Sequence, residues 1–151
     1  KGVSCFLKRG YVITVDYGHP SSVLYSNSKK DGTLISYRNH EVNENLYEHI
    51  GQQDITSHVN FSALSHWGLK FGLEYQGLID QSEFLLNLGL TDSMERRNEM
   101  DHNIIEAAKQ RAFLMHMLLV DMGKKFKVLI QSKEAPNCKL RSLRKSLHDI
   151  Q

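Results

Sequence analysis

The sequence feature that most limits the possible folds is a hydrophobic segment near the start of the chain. Residues 11–15 are Tyr, Val, Ile, Thr and Val, and Asp16, Tyr17 and Gly18 follow them directly. The segment lacks a regular alternation of apolar and polar residues, which is typical of a strand covered on both faces. We therefore predict a central strand of a mostly parallel sheet with helices on both sides. Because ligands bind at the carboxyl ends of such strands, Asp16, Tyr17 and Gly18 are candidate site residues.

Composition excludes several classes of protein. With 151 residues, of which 40% are hydrophobic and 24% are charged, the chain is long enough for one globular domain with a core. A net charge of +2 is too small to favour nucleic acid as the main partner. The longest apolar segment, residues 112–120, is interrupted by His116 and is too short to span a membrane. The two cysteines form no disulfide framework, and a reducing compartment fits them.

Local patterns predict a mixture of strands and helices. Further strands are expected at residues 33–37, 73–79 and 126–130. Asn60 is a suitable N-cap for a helix that ends at Gly72, and a longer helix is expected from Asp92 to about Asp121. A short helix is expected at residues 82–88, and residues 38–53 are interpreted as an ordered surface loop. Residues 136–151 form a basic amphipathic tail that follows the main domain at residues 1–135.

The chain has too few predicted strands to pair with both edges of the first strand and complete its sheet. A buried parallel strand requires hydrogen-bonding neighbours on both edges and crossover helices between them. Nothing on the N-terminal side of Tyr11 supplies such elements. We therefore expect the chain to be the C-terminal part of a larger α/β domain.

Five segments, in this order, carry a resemblance to a known family. They are residues 10–18; residues 32–34 with Tyr37 and His40; Gly51 with residues 54–61; Gln81 with residues 84–85 and 88–89; and residues 122–123 with 126–129. Together they resemble the MidA-like family of S-adenosylmethionine-dependent methyltransferases. This family includes the mitochondrial arginine methyltransferase that assists the assembly of respiratory complex I.

The resemblance implies the C-terminal portion of a Rossmann-like methyltransferase fold. In that fold residues 11–16 are a late parallel strand, residues 126–130 are the antiparallel strand that closes the sheet, and residues 73–79 form its edge. The implied cofactor is S-adenosyl-L-methionine, and the implied reaction is methylation of a protein nitrogen, that of arginine. The implied partner is a protein substrate such as a complex I subunit, and the implied location is the cytoplasm or, alternatively, the mitochondrial matrix. Residues 18–53 are expected to shape a lid or a substrate wall.

One departure from the family bears on activity. The chain has no Gly-rich turn of the G-x-G-x-x-G type after a strand, so most of the cofactor site is expected to lie outside these residues. On this view the chain is the substrate-side half and is inactive alone. An alternative is a non-catalytic protein-binding module that assists the assembly of a respiratory complex. Dimerisation is one way to cover a sheet edge that the missing half would leave exposed.

Three residues are candidates for catalysis. Asp16 either holds a cationic guanidinium at the end of the strand or caps the next turn. Asp54 and His58 lie four residues apart, so on a helix they would share one face and form a carboxylate–imidazole pair. His58 would then accept a proton from the substrate nitrogen, with Asp54 orienting it. The alternative is a structural hydrogen-bonded network that fixes the loop.

Four residues are candidates for substrate binding. Tyr17 either lines the pocket or is a buried aromatic residue, and Gly18 is expected to permit a backbone angle that other residues avoid. Tyr37 and His40 are expected to touch the substrate, with a solvated loop histidine as the alternative for His40. The eight histidines lack the compact spacing with acidic or thiol partners that a zinc site needs, so no metal is predicted. His116, in an apolar segment, is interpreted as a partly buried core residue.

Overall fold

A computed structural model describes residues 2–39, 41–43, 45–93, 104–116, 118, 123–136 and 140–143. These residues form a mixed α/β structure with two sheets. The helices are α1 Gly2–Phe6, α2 Ser21–Leu24, α3 Phe61–Lys70, α4 Gln81–Asn87 and α5 Ile104–His116, with 3₁₀ turns at Asn27–Lys29 and Arg141–Leu143. The strands are β1 Gly10–His19, β2 Ile35–Arg38, β3 Glu41–Asn43, β4 Asp54–Thr56, β5 Val59–Asn60, β6 Glu74–Asp80 and β7 Phe126–Lys133.

The larger sheet has the strand order β5-β1-β7-β6. β7 is antiparallel to both β1 and β6, and β5 is parallel to β1. Three of these four strands therefore run in one direction and β7 runs against them. This confirms the prediction that residues 126–130 form an antiparallel strand beside an edge strand at residues 73–79. A mostly parallel sheet was also expected, but two of the three pairings are antiparallel because β7 lies between β1 and β6.

The core is centred on β7 instead of β1. Val128, Leu129 and Ile130 are at most 2% exposed. Along β1 the exposure alternates, and Tyr11, Ile13 and Val15 are 36%, 54% and 45% exposed. The prediction that β1 is buried on both faces is therefore wrong for the described residues, because one face of the strand has no covering layer among them.

One edge of β1 is also largely unpaired. β5 meets β1 only at the pairs Gly18↔Val59 and His19↔Asn60. Within the described residues, no strand pairs with the first eight residues of β1 on the edge opposite β7. From Val12 to Tyr17 this edge is therefore one that another strand could pair with.

The smaller sheet has the order β3-β2-β4. β3 lies within the segment that was expected to be a surface loop, β2 lies almost entirely before it, and β4 directly follows it. The prediction of a loop over residues 38–53 is therefore wrong in part, since β3 lies inside it. Ser36 is fully buried in the middle strand, and its hydroxyl donates to the carbonyl oxygen of Asn43 at 2.6 Å. This bond adds to the backbone pairing of β2 and β3.

The helices match the sequence signals at their ends more closely than at their faces. Asn60 Oδ1 accepts a hydrogen bond from the Ala63 N–H at 3.0 Å, as expected of an N-cap. Gly89, just after α4, has a φ of 89° and ends that helix. α5 lies within the longer helix predicted from Asp92 to about Asp121. It leaves apolar side chains exposed, with Ile105 70% exposed, and His116 is exposed instead of partly buried. Residues 94–103 of that predicted helix and most of the basic tail lie outside the described residues.

No helix in the described ranges has the length and apolar composition that crossing a lipid bilayer demands.

Replacement of Asn60 by Ala is expected to destabilise the protein by about 1 kcal/mol, because the Ala63 N–H loses its acceptor. The hydroxyl of Ser21, which also donates to Asn60 Oδ1 at 3.0 Å, loses its acceptor too. Urea unfolding of both variants measures the effect. Asn60→Asp is the matched control, since a carboxylate keeps both acceptor roles. Equal destabilisation by the two substitutions would contradict the capping role.

Candidate functional site

Aromatic and imidazole rings meet at the carboxyl end of β1. The Tyr17 ring packs edge-on against Phe126 at 5.5 Å and against the imidazole of His58 at 6.0 Å, between ring centroids. The His19 imidazole packs edge-on against His58 at 5.1 Å. Tyr17 and His19 are two residues apart on β1 and therefore project from the same face. The two imidazoles thus share one site at the end of the strand.

His58 reaches this site from an extended segment between β4 and β5. Its backbone N–H donates to the Thr33 hydroxyl at 3.1 Å, which ties the segment to the residues before β2. The Tyr17 hydroxyl forms a short hydrogen bond with the hydroxyl of Thr56. The Nδ1 atom of His58 is buried and has no hydrogen-bond partner in the described structure. The His58 imidazole is therefore held in place by ring packing, and its Nδ1 atom makes no hydrogen bond to the described residues.

Both imidazoles are biased toward the neutral form. Burial lowers the pKa of His58 below 6.5, and the positive charge of Lys29 lowers this pKa further. Burial also lowers the pKa of His19, with added contributions from Lys29, His58 and Lys127, while Asp80 acts in the opposite direction. At neutral pH both rings are therefore uncharged, and a neutral imidazole is able to accept a proton.

An ion pair lies at the same end of the sheet. Lys127 on β7 binds the carboxylate of Asp80, the last residue of β6, and also donates to the carbonyl oxygen of Lys124 at 3.0 Å. Both charges act on the His19 pKa. Sequence reasoning missed His19 and the Asp80–Lys127 pair. The position of His19 two residues beyond Tyr17 was a usable signal for the first, but the ion pair depends on strand order.

A cavity of roughly 510 Å³ opens beside His58. Its walls come from α2 and the 3₁₀ turn Asn27–Lys29 on one side and from Gly32, Thr33, Ser57, His58 and Asn60 on the other. Lys29 and Lys30 line it, and none of the described residues in the lining carries a carboxylate. The cavity is therefore positively charged.

The structure separates the three predicted catalytic residues. Asp16 projects from the face of β1 opposite to Tyr17, and its carboxylate accepts a hydrogen bond from the Tyr17 N–H at 2.8 Å. Asp54 and His58 lie on an extended segment, so the predicted helical pair is wrong. No hydrogen bond or ion pair joins these two described residues. Asp54 is exposed on β4, directly opposite Tyr37 on β2, so these two residues are brought together.

Glycine is needed at position 18 for a different reason from the predicted unusual backbone angle. Gly18 does not have a positive φ. Instead, a Cβ atom there would lie 2.1 Å from the carbonyl oxygen of Val59, so only glycine lets β5 approach β1 this closely. The predicted substrate residue Tyr37 is 40% exposed, and His40 lies outside the described residues. In the described part of the chain, no group of three His, Cys, Asp or Glu residues is arranged to hold a metal ion.

A protein-family model supplies the observation that decides the family. The model, described as "putative S-adenosyl-L-methionine-dependent methyltransferase", matches residues 1–79, which is slightly more than half of the chain. The chain belongs to this family. A search of proteins with curated functions gave no significant match.

Two solved structures of relatives agree with this assignment. One is a native crystal structure of an uncharacterized superfamily protein from Burkholderia thailandensis, and it matches with a TM-score of 0.80 and 30% identity over 98% of this chain. The other is a superfamily member from the same organism, described as a "likely methyl transferase" and bound to S-adenosyl-homocysteine, with the same TM-score, identity and coverage. This chain spans 40% and 38% of the length of those two proteins. Its α/β fold therefore matches part of a methyltransferase fold.

The residues present do not fit the methyl donor of this family. Among the described residues, the lining of the cavity beside His58 has no carboxylate that could bind the ribose hydroxyls, and the sequence lacks the Gly-rich turn. The described lining of this cavity therefore does not supply the contacts that the donor needs.

Replacement of Gly18 by Ala is expected to destabilise the protein by about 1–3 kcal/mol, because the new methyl group collides with the Val59 backbone. Chemical denaturation measures the loss, and amide exchange at Val59 and Asn60 reports the opening of β5. Gly2→Ala on α1 is the control, since a Cβ there meets nothing within 4 Å. If both substitutions are neutral, the close approach of β5 to β1 is not required.

His19 and His58 are expected to titrate below pH 6.5 when each imidazole is followed by NMR. Because both pKa values are lowered on folding, the unfolded chain binds more protons, and the free energy of unfolding should fall as pH drops below 6.5. The double variant His19→Asn, His58→Asn should have a flatter stability profile in that window. A pKa above 6.5 for either ring would contradict its burial in the folded protein.

Proposed function

We propose that this chain forms the acceptor side of an S-adenosylmethionine-dependent methyltransferase that methylates a protein nitrogen, in particular that of arginine. The observation that carries the proposal is the pair of neutral imidazoles at the carboxyl end of β1, next to an open cavity. Ligands bind at this end of the strands in open α/β sheets. Arginine as the substrate is implied by the MidA-like resemblance, and this choice of substrate stays a prediction.

His58 is the residue we assign to proton transfer. When a nitrogen gains a methyl group it must lose a proton, and a neutral imidazole nearby is able to accept it. The packing against Tyr17 fixes the position of the ring. Because Nδ1 is buried, we assign acceptance of the proton to the other ring nitrogen, Nε2. Asp54, exposed opposite Tyr37, is assigned to substrate binding, since a carboxylate can hold a guanidinium through paired hydrogen bonds.

We further propose that the donor site is formed by residues of the complete protein outside this chain. The unpaired edge of β1 and the exposed side chains of Ile13 and Val15 support this proposal, because both need covering by further strands and helices. The matched relatives, more than twice as long as this chain, are consistent with it. On this view the chain alone neither binds the donor tightly nor turns over.

A second candidate is a non-catalytic module that binds a protein partner. It is favoured by α5, on which Ile105, Phe113 and Met115 are 70%, 67% and 43% exposed. Exposed apolar side chains grouped on one helix are a common feature of protein interfaces. A stable complex formed by the intact protein in the absence of any methyl transfer would favour this candidate.

Replacement of His58 by Asn in the intact natural protein is expected to lower kcat for methylation of an arginine peptide by about 10²–10⁴-fold, because the proton acceptor is lost. Calorimetry should show unchanged affinity for S-adenosyl-homocysteine, since the donor site lies elsewhere. His66→Asn, at an exposed position on α3, is the matched control. An unchanged kcat would overturn the role of His58. Tight binding of S-adenosyl-homocysteine by residues 1–151 alone would overturn the proposal that the donor site lies outside this chain.

A further inference from the structure

We propose that the cavity lined by Lys29 and Lys30 is an anion subsite that binds a carboxylate or phosphate group of the methyl acceptor, close to the nitrogen that is methylated. The identification of the ligand as the acceptor rests on the proposed function, whereas the anion binding itself does not. For a protein substrate the chemistry corresponds to an acidic or phosphorylated residue that flanks the target arginine.

The charges around the cavity favour an anion. Among the described residues, neither Lys29 nor Lys30 forms an ion pair, and no carboxylate lines the cavity to neutralise them. Asp31 follows Lys30 in the chain but is not part of the wall. Two ammonium groups without counter-charges attract an anion more strongly in a recess than on a flat surface, because the protein walls exclude water.

The neutral polar groups of the wall add hydrogen-bonding capacity. Ser57 and Asn27 line the cavity with a hydroxyl and an amide, and both groups are able to donate to anionic oxygens. Leu24, only 9% exposed, gives the wall an apolar portion that fits the carbon chain of a ligand. The volume of roughly 510 Å³ lies within the range of small-ligand sites, about 300–1,000 Å³.

The position of the cavity connects it to the reacting end of β1. His58 belongs both to its wall and to the ring cluster with Tyr17 and His19. The charge of Lys29 already acts on both imidazoles. A ligand with its anion at Lys29 would therefore place neighbouring groups beside the imidazole of His58. Such an anion would also offset the Lys29 charge, and the pKa of both histidines should rise on binding.

The first experiment tests anion binding without any methyl transfer. Inorganic phosphate is titrated into the isotope-labelled intact protein while NMR follows the His19 and His58 rings. We expect saturable binding with a rise in both histidine pKa values. Lys29→Glu and Lys30→Glu should each weaken phosphate binding by about tenfold or more, because they reverse a charge at the site.

The matched control is Lys8→Glu, which makes the same change of charge at an exposed residue. Lys8 precedes β1, so it lies roughly 30 Å from the carboxyl end of that strand. This variant should bind phosphate as the natural protein does. Absence of saturable binding, or an equal effect of all three substitutions, would overturn the anion subsite. Both lysines are at the surface, and the circular dichroism of each variant checks that it is folded.

The second experiment asks which ligand supplies the anion. Arginine peptides with flanking Asp are compared with peptides that carry Asn at the same positions. We expect a lower KM for the acidic peptide with kcat unchanged, and loss of this preference in Lys29→Glu. S-adenosyl-homocysteine affinity should be the same in both proteins. A lower affinity for it in the variant would assign the anion to the donor and overturn the acceptor subsite. If no peptide is methylated, the proposed function fails, while the phosphate titration still decides whether the cavity binds anions.

Discussion

The antiparallel pairing of β1 with β7 is the interaction on which the other parts of the structure depend. Eight residue pairs join the strands in continuous register, from Gly10↔Lys133 to Tyr17↔Phe126. This register brings two segments more than a hundred residues apart into one sheet, and it sets Phe126 beside the Tyr17 ring. β7 then positions β6, whose last residue, Asp80, pairs with Lys127. The groups at one end of the sheet therefore owe their arrangement to a single strand pairing.

The site is assembled by a second, much smaller contact. β5 is only two residues long, and it reaches β1 because Gly18 has no side chain to keep the Val59 backbone away. This contact brings His58 to His19, and Asn60 then starts α3 directly afterwards. A short parallel pairing thus determines both the imidazole pair and the direction of the following helix. The cavity beside Lys29 is bounded by the same segment, so its shape depends on the same contact.

The sequence signals that succeeded were local ones. The apolar residues of β1 and β7 and the side chain of Asn60 each specify their own element, so they could be interpreted without neighbours. The four-residue spacing of Asp54 and His58 failed because such a spacing has meaning only on a helix, and the backbone there is extended. The need for glycine at position 18 comes from the Val59 carbonyl oxygen, which is distant in sequence. The cavity could not be predicted either, since its walls come from separate segments whose approach depends on tertiary packing.

The two long outer strands of the larger sheet differ in a way that has a consequence for assembly. The pairing of β6 with β7 shifts register between Tyr75 and Gly77, and the side chain of Leu143 packs on the face of the sheet at Gly77. β1 pairs with β7 in unbroken register over eight residues. A regular strand is a better template for an incoming strand than a bulged one. Growth of the sheet by an additional strand is therefore favoured next to β1.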